Sequence, residues 1–217
     1  MSYTGEIEVG GPADRREIGD LVITKVAVGP MNNNAYLLTC KTTDEQVLID
    51  AANDAGTILE LIGDGGLARV ITTHQHPDHW QALEEVVAET GAETVAGDAD
   101  ADGLPVAVTT RVNDGARIRV GTAELEVIHL AGHTPGSIAL LYDDPDGFAH
   151  VFSGDSLFPG GPGRTTSPED FTSLMNDLEA KVFDRFGDDT WVYPGHGNDT
   201  TLGAERPHLA EWRERGW

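Results

Sequence analysis

Three histidines and an aspartate fall within six residues, in THQHPDHW, directly after the apolar run RVITT (Arg69 to Thr73). His74, His76, Asp78 and His79 match neither one face of a helix nor one face of a strand. A chain that carries them has to present them from a turn between elements. In an extended loop His74 and His76 point the same way. Pro77 then turns the chain, and Asp78 and His79 project from the first turn of a following helix. Imidazole and carboxylate are the usual metal ligands where thiolate is absent, and the only cysteine is Cys40. One loop can thus hand ligands to two adjacent metal positions. A polar loop with incidental histidines is the plainer alternative, and it accommodates one His more easily than three with an Asp.

The flanking pattern is that of an α/β chain. The first twenty residues read as an edge strand and a loop. LVITKVAVG from Leu21 is a β-branched strand, and Ala35–Cys40 and Gln46–Ala51 form a hairpin across KTTDE. Residues 55–63 read as a short helix, Arg69–Thr73 as a buried strand, and Pro77–Thr90 as a helix with Trp80, Leu83, Val86 and Val87 at helical spacing. ETVAG is a short strand, Ala116–Leu130 a hairpin turning at Gly121, and SIALLYD and HVFSG are strands joined by DDPDG. A helix starts after an N-cap at Ser167, with Phe171, Leu174, Leu178 and Val182 on one side. DTWVYPG is a last strand and ERPHLAEWRERGW a terminal helix. Two sheets packed together with helices outside follow from this order, a four-layer α/β arrangement. A length of 217 residues with 39% hydrophobic content suits one domain spanning 1–217. The loop PGGPGRTTSP (Pro159 to Pro168) is long enough to suggest a functional role.

Acidic residues outnumber basic ones 37 to 14, a formal charge of −23. Such a surface repels phosphate backbones and anionic lipids, which argues against nucleic-acid and membrane partners. No apolar run approaches a membrane span, and the N-terminus has no signal-peptide core. A cytoplasmic location is expected. A single cysteine excludes an internal disulfide and a Cys-rich zinc site, and Cys40 reads as core. His129, His150 and His208 read as structural, and Tyr36 as a packed aromatic.

Three further residues sit at strand ends, each beside glycine: His133 in LAGHTPGS, Asp155 in FSGDSLF and His196 in VYPGHG. Singly each reads as a loop residue; with the first cluster they form a constellation. The motif H-x-H-x-D-H, followed by His133, Asp155 and His196 at gaps of 54, 22 and 41 residues, resembles the metallo-β-lactamase superfamily. AGHTPGS, GDSLFPGGPGR and PGHG are most similar to its hydroxyacylglutathione hydrolase (glyoxalase II) branch, and the resemblance runs from about Leu21 to Trp217.

The resemblance implies an αββα sandwich holding two divalent metal ions, zinc first, with iron or manganese as alternatives. By position His74, His76 and His133 hold the first ion, Asp78, His79 and His196 the second, and Asp155 bridges them. Asp78 is also expected to be catalytic, taking up a proton. Asp50, in LIDA, is expected to support the ligand loop or an imidazole, with a turn cap as the alternative reading. Arg164, in GGPGR, is expected to meet acid groups of the substrate, with an ordinary surface arginine as the alternative. The implied activity is hydrolysis of thioesters of the hydroxyacylglutathione kind by a metal-bridging hydroxide. Ester or lactone hydrolysis is a neighbouring reading. A mononuclear iron persulfide dioxygenase would use His74, His133 and Asp155. A binding or scaffold protein with an inactive site is disfavoured by the complete ligand set. Only 21 residues follow His196 (217 − 196), so the glutathione-binding helical domain of the longer enzymes is not expected, which leaves the identity of the thiol open.

Overall fold

The structure, a computed structural model, describes residues 3–145 and 147–216. Trp217 of the expected terminal helix and Asp146 of the DDPDG turn lie outside the described residues.

Seven strands pair in chain order in the first sheet: β1 (Asp14–Ile18), β2 (Leu21–Val28), β3 (Asn33–Cys40), β4 (Gln46–Ile49), β5 (Arg69–Thr72), β6 (Glu93–Gly97) and β7 (Thr110–Val112). Hairpin turns make β1 to β4 antiparallel, whereas β4 to β7 are parallel. Parallel neighbours need crossovers, supplied by α1 (Ala55–Ile62) and α2 (Leu83–Thr90) after β4 and β5. In the second sheet β8 (Arg117–Val120), β9 (Ala123–His129), β10 (Ile138–Asp143) and β11 (Ala149–Gly154) form an antiparallel meander. A small hairpin, β12 (Leu157–Phe158) and β13 (Gly161–Pro162), follows, and then α3 (Pro168–Leu178). That helix returns the chain to β14 (Trp191–Pro194), parallel to β11, with β15 (Thr200–Thr201) outside it. Helices α4 (Leu202–Glu205) and α5 (Leu209–Arg215) end the described chain.

The two-residue period of the strands sorts side chains between layers. In β2, Leu21 and Ile23 face the second sheet, where they join Leu38, Ile71, Leu125 and Phe152. Val26 and Val28, on the other face, pack with Ile58 and Ile62 of α1 and Leu83 and Val86 of α2. On the far side, Leu174, Met175 and Leu178 of α3 and Trp212 of α5 cover Ile128, Leu141 and Val151. The result is the expected αββα order.

One member of the inner face of β2 is charged. Lys25 is fully buried, and its Nζ donates at 2.7 Å to Gly5 O, to Gly197 O and to Asp199 Oδ1. Asp199 Oδ2 accepts from Tyr3 Oη and Trp191 Nε1. Burial pushes the Lys25 ammonium down and the Asp199 carboxyl up, and each charge counters the shift of the other.

Local differences from the sequence reading have identifiable causes. The helix expected over Pro77–Thr90 is interrupted: Pro77–His79 is one 3₁₀ turn, and the α-helix starts at Leu83. The Gln81 and Ala82 amides donate to Ala52 O and Ala51 O, in the loop after β4, instead of to helical carbonyls. Asp78 and His79 therefore project from a 3₁₀ turn. The terminal helix divides at a 3₁₀ turn, Arg206–His208, where Pro207 lacks the amide a helix needs. Val182 lies in a π-type turn that ends α3, still buried. The short strands β7, β12, β13 and β15 have no clear sequence signal; within PGGPGRTTSP, Gly161–Pro162 pairs back on Leu157–Phe158.

His150, in β11, sets a pH dependence of the fold. It is 1% exposed, and its Nδ1 shares a 2.9 Å hydrogen bond with Tyr193 Oη. Burial, with the charge of Arg16, pushes this imidazole down from 6.5 to about 4. The folded chain thus favours the neutral ring. The stabilisation is complete above the unfolded value and is lost as pH falls from about 6.5 to about 4. Between pH 7.5 and 4.5 it amounts to about 2 to 3 kcal/mol. His150→Gln should lose correspondingly less stability over that interval in denaturant melts. An equal acid loss in both proteins would refute this assignment.

Candidate metal centre

The first ligand loop leaves β5 and is held at both ends by one carboxylate. Asp50 follows β4 with φ +60°, a conformation an aspartate tolerates better than most side chains. Its Oδ1 accepts from Thr73 N at 2.7 Å, and its Oδ2 from Thr73 Oγ1 at 2.8 Å. Oδ2 also meets His79 Nδ1 at 2.8 Å. Trp80 Nε1 closes the loop by donating to Gln75 O. Asp50 is therefore both a residue of the turn and a buried acceptor.

All seven candidate ligands converge. His76 Nδ1 and His133 Nε2 lie 2.9 Å apart, and His79 Nε2 and His196 Nε2 3.1 Å apart. Asp78 Oδ2 is 3.4 Å from His79 Nε2 and 3.2 Å from His196 Nε2. Asp155 links the two groups. Its Oδ1 is 3.3 Å from His79 Nε2, and its Oδ2 is 3.6 Å from His133 Nε2 and 3.4 Å from His196 Nε2. Among the described residues, three sets of donor atoms are compact enough to hold an ion: His74/His76/His133, His74/His79/Asp155 and Asp78/His79/His196. Backbone approach here is close enough to require glycine. A Cβ on Gly195 would stand 2.2 Å from Asp155 Oδ1 and 2.7 Å from His79 Cε1.

The outer partners of the rings fix which nitrogen carries the hydrogen. His79 Nδ1 faces Asp50, His133 Nδ1 faces Arg164 O, and His196 Nδ1 faces Met31 O, so each of these nitrogens is the donor. Thr73 Oγ1 gives its own hydrogen to Asp50 and so accepts from His74 Nδ1. In the neutral rings of His74, His79, His133 and His196 the Nε2 is then a lone pair, while His76 turns its Nδ1 toward His133 Nε2. Two such lone pairs 3.1 Å apart, on His79 and His196, repel unless a proton or a cation stands between them.

The surrounding charges favour such an occupant. Burial opposes charge on His79, but Asp50 and Asp155 overcome it and push the ring up to about 10. His196 is raised against burial by Asp155. Burial, together with the neighbouring His79, holds His74 well below its ordinary value, and burial likewise lowers His133. Asp155 is held well below the usual carboxylate range, against burial, by His196 and His79. One proton between two rings would still leave His74 Nε2 and Asp155 Oδ1, both buried, without a hydrogen-bond partner. Nitrogen and carboxylate donors of this kind fit divalent metal ions.

Beside His133 and Asp155 opens a cavity of about 370 Å³, walled by Phe158, Pro159, Pro162 and Arg164. The Arg164 carbonyl orients His133, while its side chain is exposed. Two residues on strands escaped the sequence reading. Asn33 Nδ2 donates to Asp78 O and Oδ2 at 3.0 and 2.9 Å. Asn34 Nδ2 donates to Pro194 O and Gly197 O, on either side of His196. Two buried asparagines opening an apolar strand are the signal that could have found them. Tyr36 is packed as expected, its Oη donating to Pro194 O. No helix among the described residues is long and apolar enough to cross a membrane.

Comparison with known proteins identifies the family. A hydroxyacylglutathione hydrolase of Polaromonas sp. (strain JS666) is 34% identical over 179 residues, which cover 81% of this chain and 66% of that protein. This chain spans about half to two thirds of the length of the curated hydroxyacylglutathione hydrolases it matches. Among solved structures, TTHA1623 in a di-iron-bound form is 31% identical with a TM-score of 0.67, covering 84% of this chain and 96% of that one. ETHE1 from Myxococcus xanthus is 28% identical with a TM-score of 0.77, covering 88% and 84%. The profile of the metallo-beta-lactamase superfamily matches residues 28–196, from the end of β2 to the last of the seven converging side chains, and the chain belongs to that superfamily.

Proposed function

We propose that this chain is a two-metal hydrolase of small-molecule thioesters. The observation that carries the reading is the placement of Asp155, whose two carboxylate oxygens face both histidine groups and join seven donors into one two-centre site. His74, His76 and His133 would hold one ion, Asp78, His79 and His196 the other, and Asp155 both. Two divalent ions bound there supply a water that ionises near neutral pH and polarise the carbonyl under attack. Zinc and iron both suit these donors, and the di-iron form of TTHA1623 supports iron.

The residues of the chain prepare the site for that chemistry. Asp50, Met31 O and Arg164 O hold the outer nitrogens of His79, His196 and His133, which keeps the inner nitrogens directed at the ions. Asn33 fixes Asp78 through Oδ2, leaving Oδ1 to take the proton that the attacking water gives up. The cavity beside His133 receives the substrate, its apolar wall at Phe158, Pro159 and Pro162. A thiolate leaves without prior protonation, since a free thiol ionises near pH 8.5. The ionisable groups of the cavity lining are His133, Asp155 and Arg164, and expulsion of the thiolate calls on none of them as an acid. The Arg164 guanidinium has no ion-pair partner among the described residues, in a chain of net charge −23. It suits an acidic group on the substrate.

The similarity to ETHE1 favours a second reading, an oxygen-dependent activity with one iron on His74, His133 and Asp155. One experiment separates the two. Purified protein, its metal content measured, is given S-lactoylglutathione, other acyl thioesters and a lactone without oxygen, and thiol or acid release is followed. Glutathione persulfide is then supplied in air at an oxygen electrode. Anaerobic thiol release with two ions per chain is expected. Oxygen uptake with sulfite formation, and no thioester cleavage at any metal loading, would replace the hydrolase reading.

A further inference from the structure

We propose that Asp100 is a positioning residue that clamps the His74–His76 loop to the His133 loop and so sets one half of the metal centre. The proposal rests on the reading of His74, His76 and His133 as ligands. Asp100 lies in the turn after β6 and is fully buried. Its Oδ2 accepts from Gln75 N at 2.9 Å and from Thr134 Oγ1 at 2.5 Å, and its Oδ1 accepts from Gly136 N at 2.7 Å. Gln75 stands between His74 and His76, and Thr134 follows His133. One carboxylate thus gathers donors from two loops that lie nearly sixty residues apart in sequence. Thr134 is locked in turn by Ser137, whose Oγ accepts from the Thr134 amide at 3.1 Å.

The His133 loop packs backbone against backbone on the turn that carries Asp100, and the side chain of Gln75 packs against Gly103 of the same turn. A Cβ on Gly136 would stand 2.4 Å from Asp100 N, and one on Gly97 2.1 Å from Gly136 O. A Cβ on Gly103, in the same turn as Asp100, would meet Gln75 Oε1 at 2.3 Å. The His133 loop cannot move toward that turn without displacing it, and the His74–His76 loop is tied to it by the Gln75 amide.

The chemistry of the residue points the same way. No cation pairs with Asp100 among the described residues; its contacts are two amides and a hydroxyl. Burying a carboxylate without a counter-charge is costly, and a neutral side chain would be the cheaper filler. Only a carboxylate offers two acceptor oxygens to donors on two sides. An asparagine has one carbonyl oxygen, so its amide nitrogen would confront either the Gln75 and Thr134 donors or the Gly136 amide. Asp100→Asn therefore frees one loop while hardly changing volume.

The test is titration of the full chain, stripped of metal, with Co²⁺, whose d–d absorption reports coordination geometry. Wild type should take up two equivalents. In Asp100→Asn one equivalent should bind about 10-fold or more weakly, with an altered spectrum, while the other is unchanged. Thermal melts run beside the titration separate this from general destabilisation. A lower melting temperature with both equivalents bound at wild-type affinity and with a wild-type spectrum would overturn the role of Asp100 and leave the ligand reading standing. Wild type that binds no Co²⁺ would overturn the ligand reading and this proposal with it. If Asp100→Asn does not fold, Thr134→Val cuts only the tie to the His133 loop and should weaken the same single equivalent. Unchanged binding in that variant counts against the proposal.

Discussion

Replacing Asp155 with alanine will lower thioester cleavage by about three orders of magnitude or more and bring bound metal below two ions per chain. Its carboxylate approaches both donor groups: its oxygens lie 3.3 Å from His79 Nε2, 3.4 Å from His196 Nε2 and 3.6 Å from His133 Nε2. On the two-ion reading proposed above, its loss would remove a ligand from each ion and the negative charge between them. The rate effect matches about 4 kcal/mol of lost transition-state stabilisation, the scale on which bound ions act. The fold should survive, because the apolar layers between sheets and helices do not include this residue. Elemental analysis, a thiol-release assay and circular dichroism on one preparation check the three statements together. A variant that keeps both ions and turns over within tenfold of wild type would remove Asp155 from the bridge.

Asp50→Ala should injure both stability and metal affinity. Three donors lose their acceptor: the amide and hydroxyl of Thr73 and Nδ1 of His79. Leaving buried donors unsatisfied costs about 1 to 3 kcal/mol each, so a total loss of roughly 3 kcal/mol or more is expected. Alanine at φ +60° adds about 1 kcal/mol of strain. With Nδ1 released, His79 is free to exchange tautomers and swing away, and metal affinity should fall by about 10- to 100-fold. Asp50→Asn separates the two effects. It tolerates the same backbone angle and can still accept from the Thr73 amide, so it should recover much of the stability. Its amide nitrogen cannot accept from His79, so metal affinity should recover less. Wild-type affinity in Asp50→Ala, by titration, would show that His79 needs no such support.

The converging side chains were legible because each follows an apolar strand, and strands of a layered α/β fold end along shared edges. His133, Asp155 and His196 were each placed at a strand end by the apolar run before them, and they became site candidates only together with the His74–His79 cluster and the family resemblance. The helix start was not legible. Pro77 followed by an amphipathic run has the local signature of a continuous helix, and only the bonds from Gln81 and Ala82 to Ala52 and Ala51 break it. Asp100 was hidden for a different reason. GDADADG offers Asp98, Asp100 and Asp102 in near-identical surroundings. Asp98 and Asp102 are exposed and pair with Arg111, while Asp100 points into the protein. Nothing local distinguishes one aspartate from the next; the difference comes from the loops that close over the turn. Lys25 lies between these cases. A charge within an apolar run is visible, but its partner is 174 residues away.

That separation bears on the order in which the chain can fold during synthesis. The first sheet is complete in sequence at Val112, yet its inner face carries an ammonium whose counter-charge, Asp199, has still to emerge from the ribosome. Until then the nascent sheet exposes one apolar face broken by an unpaired cation. Asp199 arrives three residues after His196, so the last donor of the metal centre and the partner of the buried lysine reach the fold together. Pairing of Lys25 and completion of the candidate site thus both require the short segment from His196 to Asp199.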